Sequence, residues 1–183
     1  MNTLTLTKFE AAERQLIQAI RLFFEEGDPI SIHTLAEAAV QVFRDLALKY
    51  DTSSCITEHP SLSHISKSVI YNTMNEARNF FKHAGKDPDK VLEFDVTRNN
   101  ISLLECSTLH TSIKGEVIPE VLAFELWFLS RNKDLFASNK EFMEKLTSSG
   151  ALSKQWNFSD CSELISELRE SKSIQGVGLK YGL

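Results

Sequence analysis

The segment from Arg78 to Gly85 carries the residue types in this chain that are best suited to chemistry. Arg78 and Asn79 are followed by three residues and then by His83, and Gly85 lies just beyond. A histidine with an ordinary pKa near 6.5 suits a general acid or base. An arginine offers a rigid fork of donors to phosphate oxygens, and a neighbouring asparagine can orient the phosphate or the imidazole. We therefore take Arg78, Asn79 and His83 as the candidate catalytic residues.

Helix geometry constrains what these three residues can do together. At about 100° per residue, Asn79 and His83 share one polar stripe of a helix with Asn72 and Glu76. Arg78 lies roughly 140° around the helix from His83. One uninterrupted helix does not aim both side chains at one phosphate. Either Arg78 reaches the site of a partner chain, or the helix is distorted, or the spacing is accidental and Asn79 and His83 are solvated surface residues.

The spacing of Arg78, Asn79 and His83 resembles the R-N-x-x-x-H signature of the HEPN superfamily of helical ribonucleases and nucleotide-binding domains. The resemblance covers residues 8–115 in architecture and the motif in specific sequence. It implies a metal-independent endoribonuclease, or a degenerate RNA-binding relative, that works as a homodimer. Arg78 would bind the phosphate, His83 would be the acid or base, and Asn79 would orient. Other short segments resemble uncharacterised bacterial proteins.

The remaining histidines are weaker candidates. His33 and Glu37, four residues apart, could share a metal, but no metal-binding motif accompanies them. We expect His33 to be a surface or cap-adjacent residue, and His110 to lie at a helix end. His59 and His64 fall in a long polar loop. Nucleotide-phosphate and hydrolase motifs are missing from the sequence, so we expect neither a metal nor a cofactor.

Composition narrows the classes of partner. The 20 Lys and Arg residues against 25 Asp and Glu residues give a net charge of −5, which argues against DNA and anionic membranes as partners. The same sign weighs against RNA, because residues 78–98 hold five basic and four acidic side chains and form no strong basic patch. Three scattered cysteines and the absence of a visible signal segment favour a reducing cytoplasm.

Apolar periodicity predicts an all-α fold. No convincing strand alternation occurs, and residues recurring at threes and fours mark amphipathic helices. We expect a four-helix-bundle-like core in residues 1–115 and a helical extension in residues 116–183 that packs on the same core. The aromatic-rich fifth helix should lie in the core rather than at a dimer surface. The predicted helices cover about residues 7–26, 31–50, 66–84, 99–113, 119–132, 138–146 and 161–171.

Thr7 and Glu10 have capping-box spacing at the first helix, and Gly115 should end the fourth. We expect a loop at 51–63 and a frayed tail or short edge strand at 174–183, and residues 91–94 fit either strand or helix.

A second class of function fits the same sequence. A non-enzymatic helical adaptor or small-ligand-binding bundle would need no closed catalytic set, and an apolar groove on the fifth helix would serve it. This alternative predicts that His83 has no part in the main activity.

Overall fold

The computed structural model describes residues 3–52, 67–85, 87–136, 140–151 and 153–171. These residues form α-helices and one 3₁₀ helix (Lys133–Phe136), and no strand occurs among them, which confirms the all-α prediction. The helices are α1 (Lys8–Phe24), α2 (Pro29–Ala47), α3 (Lys67–Lys82), α4 (Arg98–Lys114), α5 (Pro119–Arg131), α6 (Lys140–Ser148) and α7 (Phe158–Ser171).

The first two helices begin where side chains satisfy their free backbone amides. At α1, the Thr7 hydroxyl accepts from the Glu10 N–H at 3.1 Å, and the Glu10 carboxylate accepts from the Thr7 N–H at 2.8 Å. This capping box is the one its spacing predicts. The helix α2 begins at Pro29, two residues before the predicted start, because the Asp28 carboxylate caps the Ser31 N–H at 2.7 Å.

The connections differ in how well the sequence predicts them. Gly115 ends α4 with a φ of 75°, a left-handed conformation that glycine adopts without strain. Residues 91–94, which the sequence left between helix and strand, are neither. Most of the predicted loop at 51–63 and all of the predicted tail at 174–183 lie outside the described residues.

One hydrophobic core joins five of the helices. Residues of α1, α2, α4, α5 and α7 contribute to a single cluster of buried side chains. Small residues of α2, among them Ala36 and Ala39, are fully buried and let its neighbours approach closely. Phe124 of α5 is also fully buried, and most other α5 residues are buried with it, which confirms that the fifth helix is a core element.

The helices are not of the membrane-spanning kind. In the part of the chain that the structure describes, no helix combines the length and the apolar composition that crossing a bilayer requires.

Candidate functional site

The helix α3, which carries the Arg78–His83 motif, packs on α2 in an antiparallel direction. Residues later in α3 contact residues earlier in α2. The contacts are Arg44 Nη2 to Met74 Sδ (3.5 Å), Arg78 Nη1 to Gln41 Oε1 (2.8 Å) and the rings of His33 and Phe81 (5.7 Å between centroids). The face of α3 that carries Arg78 is therefore turned toward α2.

Arg78 is half-buried and is held by a neutral group. Its Nη1 donates to the side-chain carbonyl of Gln41, and no carboxylate within the described residues lies at ion-pair distance from it. A guanidinium stays charged in proteins, and a partly buried charge is normally paired. Arg78 is thus oriented without a direct ion pair among these side chains, although its charge acts at longer range on the buried Glu37, where burial raises the carboxyl pKa and the Arg78 charge opposes that rise.

Asn79 and His83 lie on the opposite, solvent-facing side of α3. Both side chains are exposed, as are those of Asn72 and Glu76, which confirms the predicted polar stripe. The His83 N–H donates to the Asn79 carbonyl at 3.1 Å, so the helical hydrogen-bond pattern continues one residue past the end of α3. The helix is continuous across the motif, which rules out a distorted helix as the way to bring Arg78 and His83 together.

Within one chain, the structure does not bring Arg78 and His83 together. No hydrogen bond joins their side chains in the described part of the molecule. With an unbroken helix, the two residues diverge by roughly 140° around the axis. A phosphate bound by both the Arg78 guanidinium and the His83 imidazole would therefore need the two groups to come from two chains.

Behind Arg78, a row of polar residues runs through the interface between α2 and α4. Arg44 of α2 makes a two-point ion pair with the fully buried Glu105 of α4, at 2.8 Å (Nε to Oε1) and 2.7 Å (Nη2 to Oε2). Two turns back along α2 from Arg44, Glu37 Oε1 accepts a hydrogen bond from Ser102 Oγ at 2.6 Å. Such a row is unusual in a helix interface, because buried polar groups need partners.

His33 belongs to this row and is buried, so the prediction of a surface residue is wrong. Its Nδ1 lies 3.0 Å from Asn99 Oδ1, and Asn99 Nδ2 donates to the Pro29 carbonyl at 3.0 Å. Because Asn99 Oδ1 is an acceptor, His33 Nδ1 carries the proton and Nε2 presents a lone pair. Burial lowers the pKa of His33, which favours this neutral form.

Glu37 completes the row with one unpaired oxygen. Its Oε2 is buried and has no hydrogen-bond partner among the described residues, as is also true of His33 Nε2. Burial raises the pKa of the Glu37 carboxyl, against the lowering effect of the Ser102 hydrogen bond. No three His, Cys, Asp or Glu side chains come close enough to hold a metal ion in the described ranges, so the pair lacks further ligands there.

His110 lies four residues before the end of α4, near the helix end as expected, but it is buried, which the sequence did not indicate. Its side chain is fully buried between α4 and α1, where Nε2 lies 2.9 Å from Glu13 Oε1. The hydrogen bonds from His110 and Lys114 lower the pKa of Glu13 to about 2. This group ties two core helices together and has no contact with α3 among the described interactions.

The two described cysteines are packing residues. Cys106 and Cys161 are buried and unpaired, and burial raises both thiol pKa values, that of Cys161 to about 12. Neither thiol has the thiolate character that a nucleophile requires. Cys55 lies outside the described residues.

The basic residues near the motif are partly neutralised. Arg98 pairs with Glu76 at 3.3 Å, and Lys90 lies 4.0 Å from Asp87. Lys82, beside His83, is exposed and makes no ion pair with the described carboxylates. Positive charge near His83 is therefore local and small.

Gln41 contacts Arg78 of the motif but was not among the predicted site residues. Its position could have been found from the polar residues that recur along α2 at His33, Glu37, Gln41 and Arg44. This spacing puts them on one helical face, which is a pattern that a purely apolar stripe would not produce.

Comparisons with known proteins assign no relationship to the chain. No protein-family model matches it, and neither a curated protein nor a solved structure is significantly similar to it.

Proposed function

We propose that the protein is a HEPN-like, metal-independent endoribonuclease, or an RNA-binding relative that has lost cleavage, and that it acts as a homodimer. The observation that supports this most directly is the state of Arg78. Its half-buried guanidinium is held in place by the Gln41 amide and meets no carboxylate among the described residues. An oriented guanidinium without a direct ion pair is a binding group for a phosphate.

The geometry of α3 supports the homodimer part of the proposal. Arg78 and His83 face different sides of one continuous helix, so a shared phosphate needs Arg78 of one chain and His83 of the other. A two-fold dimer would build two equivalent sites of this kind.

The reaction assigned to this site is cleavage through the ribose 2′-hydroxyl. His83, exposed just past α3, removes the 2′-hydroxyl proton or donates a proton to the leaving 5′-oxygen, and water takes the other of these two roles. The 2′-oxygen then bonds to phosphorus, and the bond to the 5′-oxygen breaks, leaving a 2′,3′-cyclic phosphate and a 5′-hydroxyl. Arg78 stabilises the charge on the phosphorane, and Asn79 orients the phosphate or the imidazole.

The alternative of an adaptor or small-ligand bundle is motivated by the absence of a closed catalytic set and by the aromatic-rich fifth helix. The first motive still holds within one chain, whereas the side chains Phe124, Trp127 and Phe128 of α5 are buried in the core and do not line an exposed groove.

Cleavage of a labelled single-stranded RNA in the presence of EDTA tests the proposal. We expect His83→Ala to abolish cleavage with an unchanged melting temperature, because His83 is exposed. Arg78→Ala should weaken RNA binding and reduce the salt slope by about 0.7. Arg14→Ala, which removes an exposed arginine of α1, is the matched control. A single-stranded DNA of the same base sequence should stay intact, because it lacks the 2′-hydroxyl.

Three results separate the two forms of the proposal. Binding that depends on Arg78 without cleavage identifies the degenerate RNA-binding form. Cleavage that survives His83→Ala contradicts the proposal that the protein cleaves RNA through His83. Wild-type protein that neither binds nor cleaves RNA contradicts both forms.

Mixing two inactive variants tests the shared site. Dimers that combine an Arg78→Ala chain with a His83→Ala chain retain one intact site, so statistical mixing should restore about a quarter of the wild-type rate. Mixtures as inactive as either variant alone would contradict a site built across two chains.

A further inference from the structure

A chain of side-chain hydrogen bonds on α2 leads to the Arg78 guanidinium. Gln41 Nε2 donates to Asp45 Oδ1 at 2.9 Å, and Gln41 Oε1 accepts from Arg78 Nη1 at 2.8 Å. Gln41 and Asp45 are one turn apart on the same helix, and Asp45 accepts but does not donate. Asp45 therefore fixes which end of the Gln41 amide faces Arg78.

Gln41 orients the Arg78 guanidinium without forming an ion pair with it. A carboxylate would hold a guanidinium and cancel its charge, as Glu105 does for Arg44 and Glu76 does for Arg98. An amide oxygen holds it with a neutral acceptor and leaves the positive charge available to another anion. Arg78 thus differs from Arg44 and Arg98, because its partner is an amide rather than a carboxylate.

We infer that Gln41 is a positioning residue, which holds the Arg78 guanidinium ready for a phosphate without competing for its charge. The inference deepens the proposed function and rests on it. Gln41 is half-buried on α2 and acts through Arg78, so it is not itself a catalytic residue.

Exchange of the amide for a carboxylate tests this role. The probe is a short, fluorescently labelled single-stranded RNA. We expect Gln41→Glu to lower RNA affinity about tenfold, because the new carboxylate competes with the phosphate for Arg78. The melting temperature should change little, because the new ion pair with Arg78 is offset by loss of the hydrogen bond to Asp45 and by repulsion from that carboxylate. A purely structural role would move both readouts downward together.

Two controls isolate the contact with Arg78. Gln18→Glu adds the same charge at an exposed position of α1 and should change RNA affinity little. In an Arg78→Ala background, Gln41→Glu should have no further effect. An equal loss of affinity for Gln18→Glu, or a full effect of Gln41→Glu without Arg78, would overturn the inference.

A readout that needs no RNA distinguishes failure of this inference from failure of the proposed function. In the ¹⁵N spectrum of the arginine side chains, the Arg78 guanidinium should rotate slowly in the wild type and faster in Gln41→Ala. Free rotation in the wild type would overturn the positioning role even if RNA binds. Slow rotation in a wild-type protein that binds no RNA would leave Gln41 as the orienting residue and reject RNA as the ligand.

Discussion

Two regions of this molecule bury charged groups in different ways. Where α1, α5 and α7 meet, the fully buried Glu120 accepts hydrogen bonds from Arg21 at 2.9 Å and from Arg169 at 2.8 Å, so two cations serve one carboxylate. Around it lies an aromatic cluster in which the Phe23 ring contacts those of Phe24, Phe124, Trp127 and Phe158 at 4.9–5.7 Å between centroids.

The interface of α2, α3 and α4 is polar and unevenly paired. Arg44 and Glu105 neutralise each other, but Glu37 is held by a hydroxyl and Arg78 by an amide. Buried side-chain atoms without a hydrogen-bond partner among the described residues occur in both regions: His33 Nε2 and Glu37 Oε2 lie in this interface, and Glu120 Oε2 and Trp127 Nε1 lie in the first region. In the first region two arginines share one carboxylate and join three helices, whereas in the second a carboxylate and a guanidinium are each held by a neutral group.

The largest expected effect is in the aromatic cluster. Phe124→Ala should lower the free energy of unfolding by about 4 kcal/mol, because it removes a fully buried ring and leaves a cavity. Urea unfolding measures the change, and Phe124→Leu should cost clearly less. If RNA binding depends on Arg78 alone, affinity measured where the variant is folded should not change. A comparable loss for both substitutions would contradict the cavity account.

Next in size is the ion pair of the polar interface. Arg44→Met should cost about 3 kcal/mol, since it leaves the fully buried Glu105 without its two-point partner. Arg21→Met, the matched change in the first region, should cost about 1 kcal/mol or less, because Arg169 still serves Glu120. Equal losses in urea unfolding would show that the two regions pair their carboxylates equally well.

The ionised Glu13 should contribute about 2 kcal/mol to the free energy of unfolding, after allowance for its partial exposure to solvent. Its folded-state pKa, about 2, lies below the ordinary value of 4.5, so its stabilising contribution is complete above pH 4.5 and is lost as the pH falls toward 2. Glu13→Gln should abolish this part of the acid dependence. Parallel stability curves for the two proteins between pH 5 and pH 2 would count against the His110–Glu13–Lys114 contacts.

The smallest change is expected at Glu37. Glu37→Gln should stay within about 1 kcal/mol of the wild type at pH 7, because the carboxylate has no cation at ion-pair distance to lose in the described structure. The raised pKa fixes the sign of the pH dependence: ionisation costs stability, so the wild type should lose stability relative to the variant as the pH rises from 4.5. The opposite trend in urea unfolding would mean that Glu37 is stabilised as an anion.

The sequence predicted secondary structure better than the surroundings of polar residues. The capping box at Thr7 and the glycine stop at Gly115 are local features, and both are confirmed. The polar stripe through Asn79 and His83 also follows from helical period alone. The burial of His33 and His110 was missed because it depends on Asn99 and Glu13, which are 66 and 97 residues away along the chain.

The chain by itself determined an all-helical architecture, the core position of α5 and the angle that separates Arg78 from His83, because each follows from residue types repeated at helical spacing. Which polar groups are paired, and with what partner, depends on how the helices pack. Gln41 meets Arg78 and Glu105 meets Arg44 through the packing of separate helices. The electrostatics of a side chain depend on what lies against it in space, and that is fixed only when the helices dock.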